Sequence, residues 1–192
     1  MTLHPGELNA DGIPGRAHRA VLSLGGNLGR RLDNIQAALD ALVDTPGVTV
    51  EAVSPVYETE PFGGVPGEPG SKDLSGQPKY LNAIVVVSTA LSPHTLLGRA
   101  QAIEQALHRR RDENWGARTI DVDIVAYDEL VSHDATLTVP HPRAHERAFV
   151  LAPWRDVEPE AQIPRRGPIA VLLDALEPVS GIRRRDDLAL QL

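Results

Sequence analysis

The sequence predicts an α+β domain: an antiparallel sheet with helices packed on it. Three observations carry this. Apolar runs with β-strand character, such as Ala20 to Leu24 and Ile84 to Val87, alternate with stretches of helical apolar spacing. Glycine and proline cluster between the runs and mark the turns. The chain has 192 residues, 42% hydrophobic and 23% charged, enough for one domain with a real core.

The elements follow in order. Met1 to Arg19 carries Pro5, Gly6, Gly12, Pro14 and Gly15 and lacks the apolar stretch of a signal peptide, so a flexible tail is expected. Ala20-Val21-Leu22-Ser23-Leu24 closes on Gly25-Gly26-Asn27 and reads as a strand ending in a turn. Leu32, Ile35, Leu39 and Leu42 recur at helical spacing, which predicts a helix from Arg30 to Asp44, stopped by Thr45-Pro46-Gly47. Val48 to Val56 has strand character. Pro61 to Pro78 is dense in glycine and proline without periodicity, a long loop of the kind that is functional or disordered. Tyr80 to Ala90 is β-rich. Ser92-Pro93 then reads as an N-cap followed by proline at the first helical position. Leu96, Ala100, Ile103 and Leu107 form the stripe of a second helix ending near His108. Arg109-Arg110-Arg111 follows, then a strand holding Asp121 and Asp123.

This β-α-β-β-α-β order is the split-βαβ, ferredoxin-like arrangement, with two helices on one face of the sheet. Beyond it, Pro140-His141-Pro142 leads into a helix expected around Ala144 to Leu151, and Ile169, Leu172, Leu173 and Leu176 mark a last short helix. The expected organisation is a tail over 1–19, a single domain over 20–178 and a second tail over 179–192.

Bulk properties exclude several classes. A net charge of −7 argues against a general nucleic-acid binder. The absence of cysteine removes disulfides, zinc-thiolate sites and thiol catalysis. No apolar run approaches the roughly 18 residues that span a bilayer. A soluble cytoplasmic protein, monomeric by default, is the expectation. Neither G-x-x-x-x-G-K-[ST] nor G-x-G-x-x-G occurs.

The richest segment is Trp115-Gly116-Ala117-Arg118-Thr119-Ile120-Asp121-Val122-Asp123-Ile124. Residues i and i+2 of a strand share a face, so Asp121 and Asp123 project together while Ile120, Val122 and Ile124 point into a core. Paired carboxylates repel unless a cation sits between them, and one or two carboxylates plus substrate phosphates are the usual shell of magnesium. The alternative is an exposed edge strand with two solvated aspartates. Arg109, Arg110, Arg111 and Arg118 offer guanidinium forks for phosphate, or a helix C-terminus with favourable charge. His141, Arg143, His145 and Arg147 make a second patch with cationic potential, with Arg143 and Arg147 at helical i, i+4 spacing; His141 alone also reads as a buried, satisfied histidine. Tyr80 and Asn82 share a strand face and would suit a flat heteroaromatic ligand, although ordinary sheet packing also explains them. Trp115 and Phe149 are further stacking candidates, and Glu104 reads as a solvated helix charge.

These segments resemble the 6-hydroxymethyl-7,8-dihydropterin pyrophosphokinase family. The resemblance runs through Ser23-Leu24-Gly25-Gly26-Asn27-Leu28-Gly29, Tyr57-Glu58-Thr59-Glu60-Pro61-Phe62-Gly63, Tyr80-Leu81-Asn82-Ala83, Arg109 to Asp123, and Leu137-Thr138-Val139-Pro140-His141-Pro142 on to Arg147 and Phe149. It covers roughly Ala20 to Pro164. The family's β-α-β-β-α-β core agrees with the order read from the residues. The resemblance implies transfer of the β,γ-pyrophosphoryl group of ATP to the pterin hydroxymethyl, releasing AMP. It implies two Mg²⁺ ions on Asp121 and Asp123, with Arg109, Arg111 and Arg118 engaging phosphate. Gln101, Glu104, His141 and Arg147 match ATP-site positions. Thr59, Pro61, Phe62, Tyr80, Asn82, Trp115 and Phe149 match the pterin pocket. Two rival readings remain at this level: a nucleotidyl transferase or cyclase, which would release pyrophosphate, and a ferredoxin-like ligand-sensing module without turnover.

Overall fold

A computed structural model describes residues 17–61, 76–107, 119–176 and 181–192. The elements are β1 (His18–Gly26), α1 (Arg31–Val43), β2 (Val48–Val53), β3 (Tyr57–Thr59), β4 (Tyr80–Thr89), α2 (Pro93–Ala106) and β5 (Asp121–Tyr127). Short strands β6 (Ser132–His133) and β7 (Thr138–Val139) and a 3₁₀ turn (Ala144–Glu146) follow, then α3 (Ala148–Val157), β8 (Gln162–Ile163), β9 (Gly167–Pro168), α4 (Ile169–Asp174) and β10 (Ile182–Arg184).

The main sheet runs β10-β3-β4-β1-β5, with β2 also paired to β4, and every pairing is antiparallel. This is the expected α+β, ferredoxin-like arrangement, with β1 flanked by β4 and β5. The strand expected over Val48 to Val56 stops at Val53, and a separate short strand, β3, begins at Tyr57. Pro55 has no N–H to give the ladder, and β4 bridges the break by donating Ile84 N–H to Ser54 Oγ at 2.8 Å.

Each face of the sheet carries its own core. Leu22, Leu24, Val85, Val87, Val122 and Ile124 pack with Ile35, Ala38, Leu39 and Leu42 of α1 and Leu96, Ala100 and Ile103 of α2. The alternate residues Val21, Ile84, Val86 and Val125 pack with Val150, Leu151 and Trp154 of α3 and Ile169 and Leu173 of α4. The two helices expected on one face are therefore joined by a second helical layer on the other. Ser92 caps α2 as the sequence predicts, its Oγ accepting from Thr95 N at 3.2 Å.

Two boundaries differ from expectation. The helix expected around Ala144 to Leu151 begins at Ala148 and continues through Pro153 to Val157. Arg143 and Arg147 therefore do not share a helix face: a 3₁₀ turn separates them, and Arg147 is the extended N-cap of α3. The C-terminal stretch, expected as a tail, lies on the domain from residue 181. β10 pairs with β3, Leu188 and Leu190 pack against the main core, and Gln191 N–H donates to Gln36 Oε1 at 2.9 Å.

Candidate active site

The sheet register gathers the site. Gly25 of β1 lies opposite Asn82 of β4 on one side and Asp121 of β5 on the other, and Asn82 in turn opposes Tyr57 of β3. One residue row thus reads Tyr57, Asn82, Gly25, Asp121. The adjoining row places Ser23 opposite Asp123. Opposed residues in an antiparallel pair point to the same face. That face is the one covered by α3, because Ile84, two positions from Asn82, and Val21 and Val125, four positions from Gly25 and Asp121, belong to its core. Ile120, Val122 and Ile124 are buried on the reverse side.

Gly25 has a steric reason to be glycine. A Cβ there would stand 2.9 Å from Asn82 Oδ1. The Asn82 carboxamide occupies that space because its Nδ2 donates to Thr59 Oγ1 at 2.9 Å, and both residues are buried. Tyr80 lies opposite Thr59 on the same face. Thr59, Tyr80 and Asn82 therefore form one patch, with Pro61 two residues beyond Thr59.

At the other end of the row, Asp121 Oδ1 is shielded from solvent, while Asp121 and Asp123 as residues are half-buried. Their strand is the sheet edge, and two of its backbone groups are engaged from outside the sheet: Val122 N–H donates to Glu104 Oε1 at 2.8 Å, and Val125 O accepts from His141 N–H at 2.8 Å. Glu104, expected as a solvated charge, is only 5% exposed and lies between α2 and β5. Gln101, one turn earlier on α2, is exposed.

His141 stands beside the carboxylates. Burial pushes its imidazole down to about 4; Arg147 and Arg143 act in the same direction and Asp121 opposes them. The ring is therefore neutral at pH 7, not cationic. Its Nδ1 accepts from Arg143 N–H at 3.2 Å, which assigns the remaining proton to Nε2 as a donor. The Arg147 guanidinium lies 5.5 Å from the centroid of the Phe149 ring, which packs along the edge of the α3 core.

Of the site residues the sequence predicts, Phe62, Arg109, Arg111, Trp115 and Arg118 lie outside the described residues. Of the others, Thr59, Tyr80 and Asn82, with Pro61 just beyond, lie on one side of Gly25, and Asp121, Asp123, His141 and Arg147 on the other; Phe149 stands on α3, and Gln101 and Glu104 on α2. Asn27, which the sequence marks only as part of a turn, belongs with the site's framework. It is 1% exposed, and its Nδ2 donates to Pro78 O at 3.0 Å and Gln77 Oε1 at 3.3 Å, tying residues 77–78 to the end of β1. Its place in a Gly-Gly-Asn turn after a buried strand was the available signal.

The protein is thus of the ferredoxin-like class, with an amide patch and a carboxylate pair on one face of the sheet. Comparison with known proteins narrows it. Residues 21–159 match the family model for 7,8-dihydro-6-hydroxymethylpterin-pyrophosphokinase (HPPK), and the chain belongs to that family. It is 39% identical over 161 residues to the 2-amino-4-hydroxy-6-hydroxymethyldihydropteridine pyrophosphokinase of Synechocystis, covering 84% of this chain and 77% of that one. The Pseudomonas aeruginosa protein of the same name is 39% identical, over 86% of this chain and 96% of its own. The Mycobacterium tuberculosis one is 40% identical, over 83% and 85%. Among solved structures, Plasmodium falciparum HPPK-DHPS with pteroate superimposes with a TM-score of 0.68 at 15% identity, a likeness of fold; the match covers 88% of this chain and 48% of that longer one.

Proposed function

We propose that this protein transfers the pyrophosphoryl group of ATP to the hydroxymethyl of 6-hydroxymethyl-7,8-dihydropterin, giving AMP and the pterin diphosphate for folate synthesis. The row Asn82, Gly25, Asp121 carries the reading. It sets a buried, oriented carboxamide and a carboxylate on one face with no side chain between them. Family membership and the shared name of the relatives support it.

In this reading Asn82 reads the polar edge of the pterin, held in orientation by Thr59, and Tyr80 and Phe149 sandwich the ring. His141 offers Nε2–H to the nucleotide without adding charge, and Arg147 adds a guanidinium. The carboxylates fit Mg²⁺. Among the described residues no group of three or more His, Cys, Asp or Glu could enclose a metal; Asp121 and Asp123 would hold magnesium together with substrate phosphate oxygens and water. Bound there, magnesium would offset triphosphate charge and align attacking and leaving oxygens. The pterin alcohol oxygen forms a bond to the β-phosphorus, the bridging oxygen leaves with AMP, and the alcohol proton is released. The protein contributes position and electrostatics. Arg109, Arg111 and Arg118 would complete the phosphate contacts, and Trp115, Phe62 and Pro61 the pterin wall. Gln101 and Glu104 would flank the nucleotide.

The net charge of −7 supports a protein that works without nucleic acid. Among the described residues no helix is long and apolar enough to cross a membrane. We read the protein as a cytoplasmic monomer. Incubation with ATP, Mg²⁺ and hydroxymethyl-dihydropterin, with the nucleotides resolved, tests the activity. AMP formed in step with pterin diphosphate is expected; ADP or free pyrophosphate instead of AMP overturns it.

A further inference from the structure

Residues 181–192 lie beyond the stretch that matches the family model, and the reaction as described does not use them. They are nonetheless built onto the pterin side of the site. β3 is three residues long and is held between β4 on one edge and β10 on the other. The C-terminal segment grips both of its faces. On one, Tyr57 Oη donates to Asp156 Oδ2 at 2.9 Å and Arg184 Nη1 donates to the same oxygen at 3.0 Å, joining β3, α3 and β10. On the other, the Glu58 carboxylate, 15% exposed, accepts from Arg185 Nη1 at 2.8 Å and from Arg31 Nη1 at 3.3 Å. Arg185 is itself fixed: its side chain donates twice to Asp187, at 2.8 and 2.6 Å, and its N–H donates to Val56 O at 2.8 Å. Glu60 N–H donates to Gly181 O at 2.9 Å. Between Glu58 and Glu60 sits Thr59, the acceptor of the Asn82 amide.

We propose that Arg185, acting through Glu58, is a positioning residue for the pterin pocket. The inference rests on the substrate reading above. A carboxylate this far from water depends on its guanidinium partners, and removing one leaves charge poorly compensated on a very short strand. β3 then shifts or loosens, Thr59 Oγ1 no longer fixes the Asn82 carboxamide, and recognition of the ring weakens. The carboxylates and His141 are carried by β5 and the segment after β7, across β4 and β1 from β3, so nucleotide binding is spared.

The test uses the full chain and two probes: 6-hydroxymethylpterin followed by fluorescence, and a non-hydrolysable ATP analogue with Mg²⁺ followed by calorimetry. Arg185→Ala is expected to weaken pterin binding about tenfold and raise the pterin KM in parallel, while the ATP-analogue Kd stays within about twofold. Arg185→Lys, which keeps the cation, is expected to restore most of the loss. Unchanged pterin affinity, equal losses for both ligands, or a lysine variant as weak as alanine would each overturn the proposal. Should urea titration show Arg185→Ala to be unfolded, Glu58→Gln reads the same link with the shape kept. A selective loss of about threefold or more in pterin affinity supports positioning, and none overturns it. Failure of the substrate reading looks different, because the unaltered protein then binds no pterin and makes no AMP, and both ideas fall.

Discussion

Gly25→Ala gives a direct measure of how tightly the centre of the site is packed. The new Cβ would stand 2.9 Å from Asn82 Oδ1, whereas the next atom, Leu81 O, is at an ordinary 3.6 Å. Only the carboxamide has to move, but it is buried and tied to Thr59. Losing that hydrogen bond and crowding the row costs about 2–3 kcal/mol. Alanine in a strand returns about 0.5–1 kcal/mol relative to glycine. The net expectation is a loss of roughly 1.5–2 kcal/mol, a fall of about 0.7 M in the urea midpoint for an m-value of about 2–3 kcal/mol/M. The decisive comparison is the same change in an Asn82→Ala background. With the carboxamide gone the clash disappears, and Gly25→Ala should become neutral or slightly stabilising. The coupling of about 2 kcal/mol lies well above the roughly 0.5 kcal/mol scatter of additive pairs. Equal cost in both backgrounds would refute the reasoning, since the obstacle would then not be Asn82.

Three further outcomes are expected. With the folded His141 pKa about 4 and the unfolded value near 6.5, the unfolded chain binds more protons between them, so ligand-free stability is full above pH 6.5 and falls toward pH 4. The loss amounts to about 3 kcal/mol at about 1.4 kcal/mol per unit, and denaturant titrations of His141→Gln, which has no proton to gain there, should lack this fall between pH 6.5 and 4. Asp123→Asn should lower turnover at least ~100-fold while leaving the thermal midpoint unchanged or raised, because carboxylate repulsion is relieved; near-normal turnover would count against a metal role. Glu104→Ala should cost about 1–3 kcal/mol in a urea titration by leaving Val122 N–H buried without its acceptor, and Glu104→Gln distinctly less; equal costs would contradict the backbone-acceptor role.

Strong periodicity made the core of the fold legible. The stripes on α1 and α2 and the alternation around Asp121 each reported one buried face, and together they set the β-α-β-β-α-β order. β10 was not legible, because Ile182-Arg183-Arg184 shows no apolar alternation and the partners that dock this segment on the domain, Asp156 for Arg184 and Glu58 for Arg185, are distant in sequence. The length of α3 was hidden by Pro153, whose missing N–H ordinarily ends a helix but is tolerated here within a buried stretch. In the site, the shared face of Tyr80 with Asn82 and of Asp121 with Asp123 followed from spacing alone. The burial of Glu104 did not, because its partner is a backbone N–H that leaves no trace in the sequence. The neutrality of His141 was left open between a cationic patch and a buried histidine, because the choice depends on burial and neighbours that only the fold assembles.

The row through Gly25 has one more consequence. Asn82 and Asp121 stand two strand spacings apart, about 10 Å, and that interval is fixed by main-chain hydrogen bonds on both sides of β1. On the proposed function, the sheet would therefore work as a ruler between Asn82, which would read one substrate, and Asp121, which would anchor the charge of the other. No side-chain substitution can lengthen or shorten it, and thermal motion of rotamers leaves it unchanged. A substrate analogue whose reactive arm is one bond longer or shorter meets a gauge that does not adjust. On that reading, selectivity for the length of the arm would be written into the backbone.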